Sequence, residues 1–186
     1  MSDEKIDVSR RRFFTGAFKR MCEGRAPIHQ PIAQSSGNRE LLKEAQDAYS
    51  AEDYETASKK YNEFVRQESD NAEARQQLAQ ALYLCGKTTQ AKVELKRILY
   101  SDKQNNKALL WMGLTLCKSG KPEKALDYWK EYFDTSNIPL FRELNLQKAR
   151  LESGEELTGT EIAEAVEQVL FQEEPPAEDM VKIEKS

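Results

Sequence analysis

The side chains that most often carry catalysis or bind metals are few in this sequence and stand far apart. His29 is the only histidine, and the three cysteines (Cys22, Cys85 and Cys117) include no pair with C-x-x-C spacing. Nucleophilic catalysis usually needs a histidine base, and zinc sites need closely spaced Cys or His ligands. Gly-rich phosphate loops and H-E-x-x-H motifs are also absent from the sequence. The sequence therefore predicts a protein that is not an enzyme, with no catalytic residues, metal, cofactor or small-molecule substrate.

Charge is distributed unevenly along the 186 residues, whose formal net charge is −4. Residues 8–25 carry six Lys/Arg against one acidic residue, a net of +5, whereas residues 152–186 carry eleven Asp/Glu against two Lys, a net of −9. Net acidity argues against nucleic acid as the main partner. No apolar run reaches the roughly 18 residues that a membrane-spanning helix requires. The charge asymmetry suggests terminal segments with roles of their own.

The elements that organise the chain recur at an interval of 34 residues. Each repeat carries a very small residue, an alanine twelve positions later and a large side chain four positions after that. The three sets are Ala45, Ala57 and Tyr61; Ala79, Ala91 and Leu95; and Gly113, Ala125 and Trp129. A period of this length, with small residues where two helices touch, indicates a repeated helix–turn–helix unit.

This pattern resembles the tetratricopeptide repeat family. The resemblance implies an all-α solenoid of antiparallel helix pairs, closed by a C-terminal capping helix pair. Gly86 and Gly120 match the family's turn between the two helices, whereas Glu52 departs from it in the first repeat. About three repeats are needed for an independently stable stack, and the chain has three clear ones.

The domain layout follows from these boundaries. Residues 1–37 form a basic and aromatic N-terminal arm with a linker, and residues 173–186 form an acidic tail of disordered composition. Between them, residues 38–172 form the repeat domain, in which the acidic residues of the capping pair are expected to face outward. Its repeats are 38–71, 72–105 and 106–139, followed by a degenerate or capping repeat at 140–172.

In this family the first helices of successive repeats line a concave groove that holds extended or helical peptides. Carried over position by position, the resemblance implies a groove for a partner protein or peptide. Its predicted residues are Arg39, Leu42, Lys43, Gln46, Tyr49, Glu73, Gln76, Gln80, Tyr83, Lys107, Leu110, Trp111, Leu114 and Cys117.

The residues of this groove limit what it can hold. The chaperone-binding branch of the family clamps a terminal carboxylate with Lys, Arg and Asn, at positions that hold Leu42, Gln46, Gln76 and Gln80 here. That activity is not predicted. The groove instead grades from polar and aromatic to apolar, which suits an amphipathic peptide or helix. The alternative is that Leu110 and its apolar neighbours in repeat three pack against the arm or the cap.

The arm carries a second resemblance. The segment S-R-R-R-F-F-T-G at residues 9–16 resembles the twin-arginine consensus of bacterial export signals and the N-termini of accessory ferredoxins from the periplasmic nitrate reductase system. The apolar patch is too short for a signal peptide, which argues against export. The resemblance implies a docking peptide associated with anaerobic respiratory enzymes. Its predicted docking residues are Arg10, Arg11, Phe13, Phe14 and Phe18.

The sequence as a whole predicts a non-catalytic scaffold or adaptor in the bacterial cytoplasm that binds a partner protein or peptide. The N-terminal resemblance further suggests an accessory or assembly factor for a respiratory redox complex. Three alternatives remain: an adaptor that the basic, aromatic arm anchors to a membrane surface, an exported protein with a true twin-arginine signal, and a protein whose own arm or tail fills its groove.

Overall fold

A computed structural model describes residues 32–172, with side chains described from residue 37. The chain divides into two compact units, residues 1–37 and 38–186, and the second is described below. Within the described residues there are eight α-helices, none of them long and apolar enough to cross a membrane. Their bounds are α1 Ile32–Ser50, α2 Tyr54–Gln67, α3 Ala72–Leu84, α4 Thr88–Ser101, α5 Asn106–Lys118, α6 Pro122–Trp129, α7 Ile138–Glu152 and α8 Gly159–Leu170.

The first six helices form three consecutive pairs, each closed by a short turn. Every helix from α2 to α5 packs closely on the next one along the chain, and α3 also contacts α5. In the first pair, the ring of Tyr49 on α1 lies 6.5 Å from that of Tyr61 on α2. This stepwise packing, with each helix against its neighbours in sequence, is that of a solenoid.

The repeated residues lie at the centre of the helix contacts. The three second-helix alanines and the large side chains that follow them are at most 1% exposed. Ala45 and Ala79 on the first helices are completely buried as well. Complete burial of one side chain such as Leu95 contributes about 1.5–3 kcal/mol. The 34-residue pattern therefore predicts the core of the repeats correctly.

Polar residues cap the helices that begin repeats two and three. Asn71 Oδ1 accepts a hydrogen bond from the backbone N–H of Ala74 at 2.9 Å, and Asn105 Oδ1 accepts one from Ala108 at 3.0 Å. Such caps satisfy a backbone donor that the helix leaves unpaired. The polar segments around these two asparagines therefore end one helix and begin the next without a proline.

The turn inside each pair needs a left-handed residue at the same repeat position. Gly86 and Gly120 have φ of 78° and 69° there, and Glu52 adopts φ of 60° at the equivalent position of the first pair. Left-handed backbone is strained for a residue with a Cβ by about 1–2 kcal/mol. The first turn therefore has the same geometry as the other two, with strain that glycine would not have.

Glu52→Gly is expected to raise the free energy of unfolding by about 0.5–1 kcal/mol. The relief of left-handed strain exceeds the extra flexibility that glycine gives the unfolded chain. Urea denaturation followed by circular dichroism measures the change. Gly86→Ala is the reciprocal control, because its added Cβ would meet no atom within 4 Å, and it is expected to destabilise by about 1 kcal/mol. Destabilisation by both exchanges would contradict the strain argument.

The last two helices depart from the regular stack. Helix α6 has only eight residues, and an irregular segment follows it, held by hydrogen bonds between the Asn106 side chain and the backbone of Phe133. Helix α7 packs on α6 and α8, but α8 packs on α5 as extensively as on α7. The apolar stripe of α8 contains Ile162, Ala163 and Val166, each at most 1% exposed. The last helix is therefore folded against a first helix of the stack.

Candidate functional site

The first helices α1, α3 and α5 share one face of the stack, which we call the groove face. Exposure along this face falls from the first repeat to the third. On α1, Arg39, Lys43 and Gln46 are exposed, and Leu42 and Tyr49 are half-buried. The face is thus most accessible at α1.

Helices α3 and α5 present fewer exposed predicted groove residues. Glu73 and Lys107 are exposed and Gln80 is half-buried. Gln76 is buried, and its amide has no hydrogen-bond partner in the described part of the chain. The remaining predicted groove residues are buried, namely Tyr83, Leu110, Trp111, Leu114 and Cys117.

An outer cleft of about 390 Å³ lies between α1 and α3. Leu42, Gln46 and Tyr49 line it from α1, and Glu73 and Gln77 line it from α3. Its lining includes an aliphatic leucine side chain, two tyrosine rings, three amides and one carboxylate. Such a lining offers hydrogen bonds and apolar contact together, which is the chemistry of a peptide-binding surface.

Tyr49 joins the outer cleft to a second cleft. Its hydroxyl donates a hydrogen bond to Gln80 Oε1 at 3.3 Å, and its ring meets that of Tyr54 edge-on at 5.3 Å. Burial, followed by the neighbouring phenols of Tyr54 and Tyr61, raises the pKa of Tyr49 to about 12. The phenol is therefore a neutral hydrogen-bonding group at physiological pH.

The second, inner cleft has a volume of about 400 Å³. Tyr49 and Gln80 border it on one side and Lys107 and Trp111 on another, and Phe171 just beyond α8 forms a third wall. Tyr49 lines both clefts, so they adjoin at this side chain, and we call the two together the path along the groove face.

Helix α8 covers the remainder of the groove face, at a surface we call the α8 seat: Tyr83, Trp111, Cys117 and Lys118. Glu167 Oε1 accepts a hydrogen bond from the Tyr83 hydroxyl at 2.5 Å and forms an ion pair with Lys118 Nζ at 2.6 Å. Lys118 Nζ also lies 4.3 Å from the centre of the Tyr83 ring. These three side chains connect α3, α5 and α8 in one polar cluster.

Both ends of α8 lie in close contact with the seat. At its start, Gly159 lies so close to α5 that an added Cβ would stand 2.1 Å from the Cys117 carbonyl oxygen. Just past its end, the Phe171 ring lies 6.3 Å from that of Trp111. A capping box between Thr158 and Glu161 begins the helix at this point. Trp111 therefore packs against the segment that follows α8, in agreement with the interpretation that the cap covers the apolar part of repeat three.

Burial controls the protonation of the seat. It raises the pKa of Cys117 to about 12, with a smaller effect from Glu123, so the thiol stays protonated at neutral pH. Burial and then the Glu167 carboxylate raise the pKa of Tyr83 as well. A protonated, covered thiol is a poor nucleophile and metal ligand. Cys117 thus acts as a small apolar side chain.

Other candidate chemistry is sparse in residues 32–172. No group of three or more His, Cys, Asp or Glu side chains in that span is arranged to hold a metal ion. The predicted docking residues of the arm, and with them Cys22 and His29, lie outside the described residues. Lys118, Gly159 and Glu167 were not among the predicted site residues, and the structure brings them to the groove face.

Alkaline pH is expected to destabilise the fold. The folded-state pKa values of Tyr49, Tyr132 and Cys117 are raised to about 12 from ordinary values of 10.0, 10.0 and 9.0. The unfolded chain therefore releases these protons first, so the contribution of these three groups to stability is complete below about pH 9 and is lost as the pH rises to about 12. Urea midpoints measured across this range test the slope. Tyr132→Phe should reduce it, and a flat profile would contradict the assignment.

Comparison with known proteins agrees with this architecture. Residues 48–115 match a family model described as tetratricopeptide repeat. No curated protein matches the sequence. The crystal structure of MamA is similar to this chain with a TM-score of 0.56 and 17% identity, over 90% of this chain and 96% of MamA. The TPR2B domain of yeast Sti1, in its complex with pHsp70, aligns with a TM-score of 0.48 and 15% identity, over 73% of this chain and 98% of the domain.

These matches concern the fold. The eight helices of the described residues, the family model and the likeness to MamA confirm the predicted fold class, an all-α solenoid of tetratricopeptide-repeat type.

Proposed function

We propose that this chain is a non-catalytic scaffold that binds a partner protein or peptide on its groove face. The observation that carries the proposal is the path formed by the outer and inner clefts, which are joined at Tyr49. The tetratricopeptide-repeat fold supports it, because solenoids of helix pairs present extended binding surfaces.

The chemistry of the clefts indicates the kind of partner. Glu73 and Asp134 place two negative side chains along the path and Lys107 places one positive side chain there, and Gln46 and Gln80 add amides. This mixture suits a peptide with alternating polar and apolar side chains, bound by hydrogen bonds and by contact with Tyr49. It does not suit a strongly charged ligand, since neither sign dominates.

Paired charge-introducing substitutions test the proposal. Gln46 on the outer cleft and Gln90 on α4 are both exposed, so Gln46→Arg and Gln90→Arg make the same chemical change on different surfaces. Partners captured by the full chain are identified, and their affinities for both variants are then measured. Gln46→Arg is expected to weaken binding at least about tenfold, as an unmatched interface charge does. Equal binding by both variants would overturn the proposal.

We further propose that the scaffold is an accessory or assembly factor for a respiratory redox complex and works in the cytoplasm. The support is the sequence of residues 9–16, which lies outside the described residues. The full chain and a chain lacking residues 1–25 are compared for the proteins they capture from anaerobically grown cells. Loss of respiratory subunits on deletion would support this role, and an unchanged, non-respiratory partner set would overturn it.

The rival role, an adaptor on a membrane surface, is favoured by the net charge of +5 in residues 8–25. Co-sedimentation of the full chain with anionic and neutral vesicles distinguishes the two. Binding that needs anionic lipid and is lost in Phe14→Ala and Phe18→Ala would support the adaptor. Binding to neither kind of vesicle would exclude it.

A further inference from the structure

The α8 seat has the features of a helix-binding site that the chain fills itself. Four side chains of the first helices α3 and α5 form the seat, so it belongs to the face on which the proposed function places the partner. Together with α7, it holds one helix through a close backbone approach, an apolar stripe, a shared carboxylate and an aromatic contact. These are the elements by which a groove selects an amphipathic helix.

The bound helix reveals the sequence that the seat recognises. Counting from Gly159, the buried positions are the glycine itself, Ile162 and Ala163 at the third and fourth positions after it, and Val166 at the seventh. A carboxylate follows at the eighth position, Glu167, and an aromatic ring at the twelfth. This 3–4–7–8 spacing puts all the recognised side chains on one helix face.

We propose that the α8 seat binds a partner helix with this same pattern, and that α8 occupies the seat until such a helix displaces it. The inference rests on the proposed function and gives its partner a chemistry. The partner helix has a glycine or other very small residue at its start, aliphatic residues three and seven positions on, a glutamate at the eighth and an aromatic ring at the twelfth.

The exchange is energetically reasonable because the partner helix would form the same contacts with the seat that α8 gives up. Departure of Glu167 alone would leave the Tyr83 hydroxyl and the Lys118 ammonium group without their partner, and the seat would expose Trp111. Helix α8 has only twelve residues, a length at which an isolated helix is marginal in water. It is joined to α7 through residues 153–158, of which 153–156 are exposed and Leu157 packs on the core. Its release therefore need not unfold the repeats.

Tethering gives α8 an advantage that a partner must overcome. A short linker holds a segment at an effective concentration of the order of millimolar. The inner cleft offers the compensating contacts, because Phe171 lines it at the end of the seat. A partner that continues past its own aromatic residue enters this cleft and reaches Tyr49. The seat and the clefts would then bind successive parts of one ligand.

A peptide with the sequence of residues 158–172 tests the exchange in the full-length protein. Glu167→Gln in the chain weakens the internal competitor without changing the seat, so the fluorescent wild-type peptide is expected to bind this variant about tenfold more tightly than the wild-type chain. Glu164→Gln is the matched control, since it makes the same change at an exposed position of α8. It is expected to bind the peptide as the wild-type chain does.

Alkylation of Cys117 gives a second readout that needs no peptide affinity. Cys117 is 1% exposed on α5, the helix that α8 packs against, whereas Cys85 is partly exposed. Mass spectrometry should show Cys117 modified about ten times faster in Glu167→Gln than in Glu164→Gln, with added peptide slowing the reaction again. Equal rates and equal peptide affinities in the two variants would show that α8 is a permanent part of the core, and would overturn the proposal.

The two proposals can fail separately. If the peptide results are negative while Gln46→Arg still loses its partner, the groove face binds partners and α8 is fixed. If the peptide displaces α8 while Gln46→Arg and Gln90→Arg bind equally well, the seat is the binding site and the outer cleft is not.

Discussion

Gly159→Ala is expected to lower the free energy of unfolding by about 3 kcal/mol, near the upper end for overpacking a tight contact. The added methyl carbon would lie 2.1 Å from the carbonyl oxygen and 2.9 Å from the carbonyl carbon of Cys117. Both atoms belong to the backbone of α5, so no side chain can rotate away to make room. Helix α8 must therefore shift out of the seat, which separates Glu167 from its partners Tyr83 and Lys118.

Urea denaturation measures this loss, and the fluorescence of Trp111 reports whether the Phe171 contact is broken. Gly37→Ala is the matched control, because the same methyl group on α1 would meet nothing within 4 Å. It is expected to raise stability by about 0.5–1 kcal/mol through reduced flexibility of the unfolded chain. Equal effects of the two exchanges would show that α8 is not held at Gly159.

The repeats were predictable because their packing is periodic. A small residue on a first helix is followed sixteen positions later by a large one on the second helix, so the pair Ala45 and Tyr61 recurs as Ala79 and Leu95. All four of these residues are buried. The repeated helix–turn–helix unit and the burial of its small and large residues follow from that regularity, and the family resemblance implied the solenoid.

The position of α8 was not predictable by the same route. Tyr83 and Glu167 are 84 residues apart, and no local pattern links them. Acidic residues of the capping pair were expected to face outward, and this was wrong for Glu167, whose side chain is 17% exposed and faces Lys118. A glutamate on a helix surface has the same local sequence whether water or an ammonium group lies opposite.

One signal at the C-terminal pair was nevertheless present in the sequence. Thr158 and Glu161 have the spacing of a capping box and fix where α8 begins. Gly159 inside that box is a weaker helix former than alanine. A residue that weakens its own helix at the first position is explained only by the nearby backbone of α5. A glycine that destabilises its own helix therefore indicated a tertiary contact at this position.

Gly113→Ala is the other substitution with a large expected effect, about 3 kcal/mol of destabilisation. An added Cβ would lie 2.0 Å from Nε1 and 2.3 Å from Cε2 of Trp129. The indole cannot move aside, because it is fully buried and its Nε1 donates a hydrogen bond to the Leu110 carbonyl oxygen at 3.3 Å.

The chain itself supplies the control for this contact. Sixteen positions separate Gly113 from Trp129, and the same spacing separates Ala79 from Leu95 in repeat two. Gly113→Ala combined with Trp129→Leu therefore transfers the pair of repeat two into repeat three. Trp129→Leu alone leaves a cavity and is expected to cost about 3 kcal/mol.

If glycine is present at position 113 only to admit the indole, the two costs are not additive. The double variant is expected to be at least about 2 kcal/mol more stable than the sum of the two single changes predicts, a coupling typical of residues in direct contact. Urea denaturation of the four proteins in the cycle measures this coupling. Additive costs would mean that Gly113 serves another purpose. Strong coupling would establish that each repeat balances the size of one residue on its first helix against the size of one on its second. The combined volume of the two side chains would then be conserved between repeats, although the residues themselves differ.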